Sequence, residues 1–278
     1  MMIKGTTKLI AHLGVPTETF KAPMVYNPYF EERGIDAVVV PMGCEATDYP
    51  EFLRLLFRLR NIHGALFTMP HKVTTVALLD EPNVTVKVAG SCNAVRLGPE
   101  GRLIGDMFDG EGFVRGVARK GRRIEGVSAL VVGSGGVGSA IATSLALAGA
   151  GRIGLHDIRP EAAEALAGRL GEHYPALELT IGTNDPAGWE IVVNATPLGM
   201  EPGDPLPMDP SRIAPETVVG EVVMRQEETA FLAAAPARGC QTQVGLDMLC
   251  EMIPAHLEFF GFPTTTPEDL RRVARIRY

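Results

Sequence analysis

The sequence predicts an α/β protein. A first domain has a mainly parallel sheet, a second is doubly wound, and a helical segment returns at the C-terminus. Three observations predict this. Short apolar runs alternate with an amphipathic helical stretch over residues 9–67, the βαβ rhythm of a largely parallel sheet. The glycine turn Gly133-Ser-Gly-Gly-Val-Gly138 follows the apolar run Val127–Val132 and opens a helical pattern. Beyond Gly239 the apolar residues fall at helical spacing.

In the first domain, taken as residues 1–108, Leu9–Leu13 reads as a strand, and Ala37–Val40 as another ended by Pro41. Phe52, Leu55, Leu56 and Leu59 form one face of a helix, with Glu51, Arg54 and Arg58 opposite. Ile62–Phe67 is a third strand and runs into Thr68-Met-Pro-His-Lys72.

The second domain, residues 109–239, is built on the glycine turn. Leu130, Val131 and Val132 suit a strand buried on both faces. Val137, Ile141, Leu145 and Ala148 give the next helix its apolar face, and Gly149 and Gly151 stop it. Ile153–Leu155 is the following strand, ending at Asp157. Ala162, Ala165, Leu166 and Leu170 mark another helix; Ile191–Asn194 and Val218–Val223 are later strands, and residues 204–210 form a proline-rich loop. In the tail, residues 240–278, Met248, Leu249, Met252, Ile253 and Leu257 form a buried helix face that Pro254 should kink. Thr266 and Pro267 start a last helix, on which Arg271, Arg272, Arg275 and Arg277 read as a solvated face. The tail is expected to pack on the first domain.

A strand, a tight glycine turn, a helix and a second strand ending in an acid together make a unit that holds a dinucleotide. Gly133 allows the sharp turn, Gly135 lets the backbone approach a pyrophosphate, and Gly138 lets helix and strand pack closely. Ser134, Gly136 and Val137 complete the loop, and the helix start offers N–H groups to the phosphates. Asp157 can accept hydrogen bonds from a ribose diol, each worth about 1.5–3 kcal/mol. It would repel a 2′-phosphate by about 4 kcal/mol at ~4 Å in an effective dielectric of ~20. NAD is therefore expected over NADP. Ile158 and Arg159 adjoin the site; Arg159 is able to meet a phosphate but reads more simply as a solvated arginine at a helix start.

The chain has 278 residues and a net charge of −7, which gives no basic footprint for nucleic acid. No apolar stretch is long enough to span a bilayer, and the N-terminus lacks a signal-peptide core. Cys44, Cys92, Cys240 and Cys250 lack CxxC spacing and read as reduced thiols of a cytoplasmic protein. The histidines show no HxxxH pair, so no metal site is expected. A monomer or homodimer is expected, with a small molecule as partner and neither nucleic acid nor membrane.

With these pieces placed, the chain resembles the shikimate/quinate dehydrogenase family from end to end. Gly14-Val-Pro and Ala22-Pro-Met-Val-Tyr-Asn27 are similar to its N-terminal substrate loop, and Thr68-Met-Pro-His-Lys72 to its catalytic-lysine motif. Ala89-Gly-Ser-Cys-Asn93-Ala resembles its asparagine motif, Gly105–Phe113 its catalytic-aspartate motif, and Asn194-Ala-Thr-Pro-Leu-Gly-Met200 its loop beside the nicotinamide. The resemblance implies a substrate domain, a Rossmann NAD(P) domain and a C-terminal return. It implies that Lys72 and Asp109 are the catalytic pair, exchanging a proton as hydride passes between a secondary alcohol of a cyclic hydroxy acid and nicotinamide. Asn93 and Thr68 would meet the substrate, and Asn194, Ala195, Thr196, Pro197, Gly245 and Met248 the cofactor. Taken singly, Lys72 reads as a surface lysine and Asp109 as a helix or turn cap.

Departures from the family cluster in the substrate pocket. Phe20 and Ala22 stand where it has the serines that hold a carboxylate, with Glu18 nearby. Leu66, Ala94, Met107-Phe108 and Met224 replace polar residues, and Met252 a glutamine. Each loss leaves a substrate polar group unpaired, at about 1–3 kcal/mol. Shikimate is therefore expected to be a poor substrate, with Tyr26 left as a polar anchor and Arg225 either a second anchor or a plain surface arginine. Two other readings stand beside this one. A non-catalytic NAD-binding sensor or regulator would explain the losses but not the retained Lys72, Asn93 and Asp109. A Rossmann relative acting on a folate or amino acid would explain the glycine loop but not the motif order.

Overall fold

A computed structural model describes residues 2–278, and the chain divides into two compact units. The first comprises the residues through Lys87, Ser91–Phe108 and Cys250–Arg277; the second comprises Val88–Gly90 and Asp109–Leu249, with Tyr278.

The first unit contains β1 (Lys8–Gly14), α1 (Pro23–Arg33), β2 (Ala37–Gly43), α2 (Tyr49–Leu56), β3 (Ile62–Phe67), α3 (His71–Val76) and β4 (Glu81–Pro82). Helix α4 (Val84–Ala89), whose last two residues belong to the second unit, β5 (Ala94–Leu97) and β6 (Leu103–Asp106) follow. Its sheet runs β2-β1-β3-β5-β6-β4. The β1–β2, β1–β3 and β4–β6 pairs are parallel, and the pairs made by β5 with β3 and β6 are antiparallel. The link from β5 to β6 turns at Glu100 and Gly101, both at positive φ, and so short a link can join only antiparallel neighbours. Strand β2 runs on through Pro41 rather than ending there. It is an edge strand, so the missing N–H breaks no ladder. Helix α2 buries Tyr49, Leu53 and Leu56, while Leu55 and Leu59, expected on its inner face, are exposed.

The second unit contains α5 (Asp109–Arg119), β7 (Ser128–Val132), α6 (Gly136–Leu147), β8 (Arg152–His156), α7 (Pro160–His173) and β9 (Glu178–Ile181). Strands β10 (Ile191–Asn194) and β11 (Val218–Glu221), α8 (Ala230–Ala234) and β12 (Gln241–Gln243) complete it. Every pairing in its sheet, ordered β12-β11-β10-β7-β8-β9, is parallel. This is the doubly wound order whose direction reverses between β7 and β10, and ligands bind at that reversal, outside the strand ends. Ile141 and Leu145 are fully buried against Val131, Ile153 and Ile191. Helix α7 buries Ala163, Leu166, Ala167 and Leu170; Ala165 is exposed, because alanine alone does not fix the phase of a helix. Strand β11 stops at Glu221, two residues short of Val223. β12 lies past Gly239 and pairs with β11.

Helix α9 (Gly245–Phe259) starts in the second unit, belongs to the first from Cys250, and continues through Pro254 without a break. Helix α10 (Pro267–Val273) is capped by the Thr266 hydroxyl, which accepts from the Asp269 N–H. The terminal arginines pair with α1: Arg272 with Glu32, and Arg275 with Glu31 at 3.3 Å. The Arg275 N–H also donates to the Met24 carbonyl at 2.9 Å. Among the described residues, no helix is long and apolar enough to cross a membrane.

Candidate active site

In the first unit the ends of β1 and β3 bring the sequence motifs together. Gly14 is required where β1 ends: a Cβ there would lie 2.4 Å from Thr68 Cγ2, 2.6 Å from the Met69 carbonyl and 3.1 Å from Phe20. The Thr68 N–H donates to the Leu13 carbonyl and the Thr68 carbonyl accepts from His71, both at 2.9 Å, so Thr68 links β1 to the start of α3. His71 is an anchor rather than a site residue. Its Nε2 lies 2.8 Å from the Cys44 carbonyl and its ring stacks on Tyr49 at 3.9 Å. Lys72, half-buried, follows it on α3. The Lys72 carbonyl accepts from the Cys92 N–H at 2.8 Å, which ties the lysine segment to the asparagine segment.

Asn93 is buried, and Phe108, His256 and Met252 contact its amide. Its Oδ1 accepts from the Phe108 N–H at 3.0 Å and lies 3.4 Å from His256 Nε2, while its Nδ2 points at the Met252 sulfur, 3.9 Å away. His256 Nδ1 is 2.6 Å from the Tyr26 hydroxyl. Burial raises the Tyr26 pKa, so the phenol keeps its proton and donates it to His256. The result is a relay, Tyr26–His256–Asn93. Burial and then the Lys72 charge push His256 down to about 3, so the imidazole is neutral.

His12, on β1, is buried beside this relay. Its pKa also falls to about 3, from burial, then Lys72, then His256. The Phe20 ring lies against it at 4.2 Å between centroids, and its Nδ1 is buried without a hydrogen-bond partner. Phe20 and Ala22 are buried too. Lys21, between them, is turned away and donates to the Arg277 carbonyl. Neither His12 nor His256 stood out in the sequence, because each is a lone histidine among apolar neighbours. The available signal was a polar residue on a buried face: His256 follows Met252 by one helical turn.

In the second unit the glycine turn lies at the reversal of strand order. A Cβ on Gly138 would lie 1.8 Å from the Gly133 carbonyl, and one on Gly133 2.6 Å from the Ala195 carbonyl. A Cβ on Gly135 would meet nothing within 4 Å, so beside the start of α6 the backbone leaves room for a pyrophosphate. Asp157 is fixed: one oxygen accepts from the Ser134 N–H at 2.7 Å, the other from the Arg159 N–H at 2.9 Å. Ile158 is 93% exposed, and the exposed Arg159 guanidinium is 3.8 Å from Asp157.

At the end of β10, Asn194 Oδ1 accepts from the Thr196 N–H and hydroxyl at 3.1 and 2.7 Å, and its Nδ2 donates to the Leu198 carbonyl at 2.9 Å. This fixes the turn that carries Ala195 and Pro197. Behind it, Glu221 is 1% exposed and hydrogen-bonds the Asn194 side chain and the Thr229 hydroxyl, the latter at 2.8 Å. Burial, opposed by those bonds, raises Glu221 to about 7. A Cβ on Gly245 would lie 2.5 Å from the Val223 carbonyl and 2.7 Å from Met224 Cγ, which places Met224 against the start of α9, while Met248 is buried in the core. Asp109 is buried as the first residue of α5. Arg225 is ion-paired to Glu201 at the surface, the second of its two expected roles.

A doubly wound unit with a glycine turn and an acid after its second strand, joined to a unit with a half-buried lysine next to a buried asparagine and histidine, defines the class of dinucleotide-dependent α/β enzymes. Residues 13–95 match the family model described as the shikimate dehydrogenase substrate binding domain. A shikimate dehydrogenase (NADP(+)) of Acidiphilium cryptum is 33% identical over 98% of this chain and 97% of its own. Among solved structures, the 5-ketofructose reductase of Gluconobacter sp. strain CHM43 has a TM-score of 0.85 at 26% identity, covering 98% of this chain and 99% of its own. The quinate dehydrogenase of Corynebacterium glutamicum in complex with NAD has a TM-score of 0.84 at 25% identity, covering 96% and 98%. The chain belongs to the shikimate dehydrogenase family. Membership gives the coarse class of its chemistry, an alcohol-acting oxidoreductase with a nicotinamide cofactor.

Proposed function

We propose that the protein is an NAD-preferring dehydrogenase that reversibly oxidises a secondary alcohol of a small polyhydroxylated compound, with shikimate a poor substrate. The observation that carries this is the cluster in the first unit: Lys72 on α3, tied through its carbonyl to the Asn93 segment, with the Asn93 amide oriented by Phe108 and His256. When bound, the nicotinamide supplies the hydride acceptor for oxidation and the donor for reduction. Lys72 holds the reacting hydroxyl and takes its proton. Asp109, carried by the family motif, is the second member of the acid–base pair. Asn93 binds a neighbouring hydroxyl through its amide N–H, since its oxygen is engaged by Phe108 and His256.

NAD is favoured by the fixed Asp157 carboxylate, whose charge opposes a 2′-phosphate. The Acidiphilium relative is named for NADP(+), while the Corynebacterium quinate dehydrogenase was solved with NAD, so both cofactors occur among similar proteins. Phe20, Ala22 and Met224 support the change of substrate, since none of them has a side-chain donor and only the Met224 sulfur can accept, weakly. Lys72→Ala tests the reading. Turnover should fall by about 100-fold or more while the dissociation constant for NAD is unchanged. Full turnover in that variant refutes the assignment. Tighter binding of NADP than of NAD refutes the cofactor preference.

A further inference from the structure

We infer that His12 is a substrate-binding residue, and that it receives an uncharged hydroxyl or carbonyl where the family's serines hold a carboxylate. The substrate class is then a neutral polyol or hydroxyketone rather than a ring acid. The inference rests on the proposed dehydrogenase reading and specifies the substrate for that same site.

Four observations point this way. His12 pairs with Leu66 across β1 and β3, next to Leu13, whose carbonyl accepts from Thr68 at the start of the Lys72 segment, so it lies beside the segment that carries the proposed catalytic lysine. Nδ1 of His12 is buried without a partner. A buried imidazole nitrogen in that position is cheaper as a lone pair than as an N–H, which places the proton on Nε2 and makes the ring a neutral donor. Phe20, whose ring lies against His12, and Ala22 are both buried, and they stand where the family resemblance places the serines. The adjacent cation, Lys21, is engaged by the Arg277 carbonyl. A neutral imidazole under an aromatic ring is a poor counter-ion for a carboxylate, whose burial without a full charge partner is strongly unfavourable. It suits a hydroxyl or carbonyl, and the flanking ring excludes water from that bond.

The test uses the full-length protein with NAD and NADH and a panel of probes: ketohexoses, hexitols and cyclitols as the uncharged compounds, shikimate and quinate as the acids. An uncharged probe should exceed both acids in kcat/KM by at least about 10-fold. His12→Phe should lower kcat/KM for that probe by about 10- to 100-fold, the loss expected when one substrate polar group goes unpaired. His12→Gln, which keeps an N–H donor, should recover part of it. Both variants should bind NADH and unfold thermally like the parent, which separates a lost contact from a lost fold. Shikimate or quinate turned over as well as or better than every uncharged probe overturns the inference and leaves the dehydrogenase reading standing. So does a His12→Phe variant with unchanged kcat/KM. No NADH formed or consumed with any probe, despite NAD binding, overturns the dehydrogenase reading and this inference with it.

Discussion

Glu221 offers the sharpest test of how the cofactor unit is held together. Its carboxyl is 1% exposed at the end of β11 and is pushed from 4.5 up to about 7. Burial is the main cause, and the donors Asn194 and Thr229 offset it only in part. Because the folded-state pKa lies above the unfolded one, the native state binds more protons between those values, and stability falls as pH rises. The contribution is complete below about pH 4.5 and is lost as pH passes about 7. At ~1.4 kcal/mol per unit, the rise of roughly two and a half units amounts to about 3 kcal/mol. Glu221→Gln keeps the shape and removes the titration. Its amide also adds a donor facing Asn194 and Thr229, so the absolute stability is a poor criterion and the change with pH is the informative one. Urea unfolding of both proteins at intervals from pH 5 to 8.5 should show the variant gaining on the parent as pH rises. The relative gain should reach about 3 kcal/mol, or roughly 6–12 °C in thermal midpoint. A stability difference that stays constant across that range would falsify the raised pKa and the buried-carboxyl argument behind it.

Other predictions concern the glycine turn, the acid and the histidines. Gly138→Ala forces a Cβ against the Gly133 carbonyl and should destabilise the protein by about 1–3 kcal/mol in urea titrations. Gly135→Ala meets no protein atom, so calorimetry should find the parent's stability while NAD binding weakens by about 10-fold or more. Asp157→Asn should move the NADP-to-NAD affinity ratio by at least about 10-fold toward NADP, as measured by fluorescence titration. Tyr26→Phe removes the donor to buried His256 and should cost about 1–3 kcal/mol in chemical denaturation. His12 and His256 have folded pKa values near 3, below the unfolded value of 6.5, so their contribution is present above pH 6.5 and lost as pH falls toward 3. Each steepens the acid limb of the stability profile by about 1.4 kcal/mol per pH unit within that window.

The cofactor unit was legible because its signal is local. The strand, glycine turn, helix and acid between Ser128 and Asp157 are consecutive in sequence, and Gly133 and Gly138 answer to contacts only a few residues or one strand away. The first unit was legible where a short motif sets the local structure, as at Thr68–Lys72 and Asn93. It was opaque where an arrangement depends on residues far apart: His256 reaches Asn93 across 163 positions. Tyr26 looked like an anchor for substrate, yet its hydroxyl is already engaged by a histidine 230 residues away, which no pattern of spacing reveals. Pro41 shows the limit of local rules, since a proline that ends an interior strand passes unnoticed in an edge one.

The division of the chain also has a consequence for biosynthesis. The first unit is assembled from both ends of the polypeptide, with the whole second unit inserted between, and its cluster needs His256. While a ribosome is extending the chain, β1–β6 emerge early, but Tyr26 and Asn93 meet His256 only when the last helices appear. The second unit is nearly continuous and can form first. Premature termination between β12 and α9 would therefore leave a chain whose second unit is largely complete and whose first unit is not.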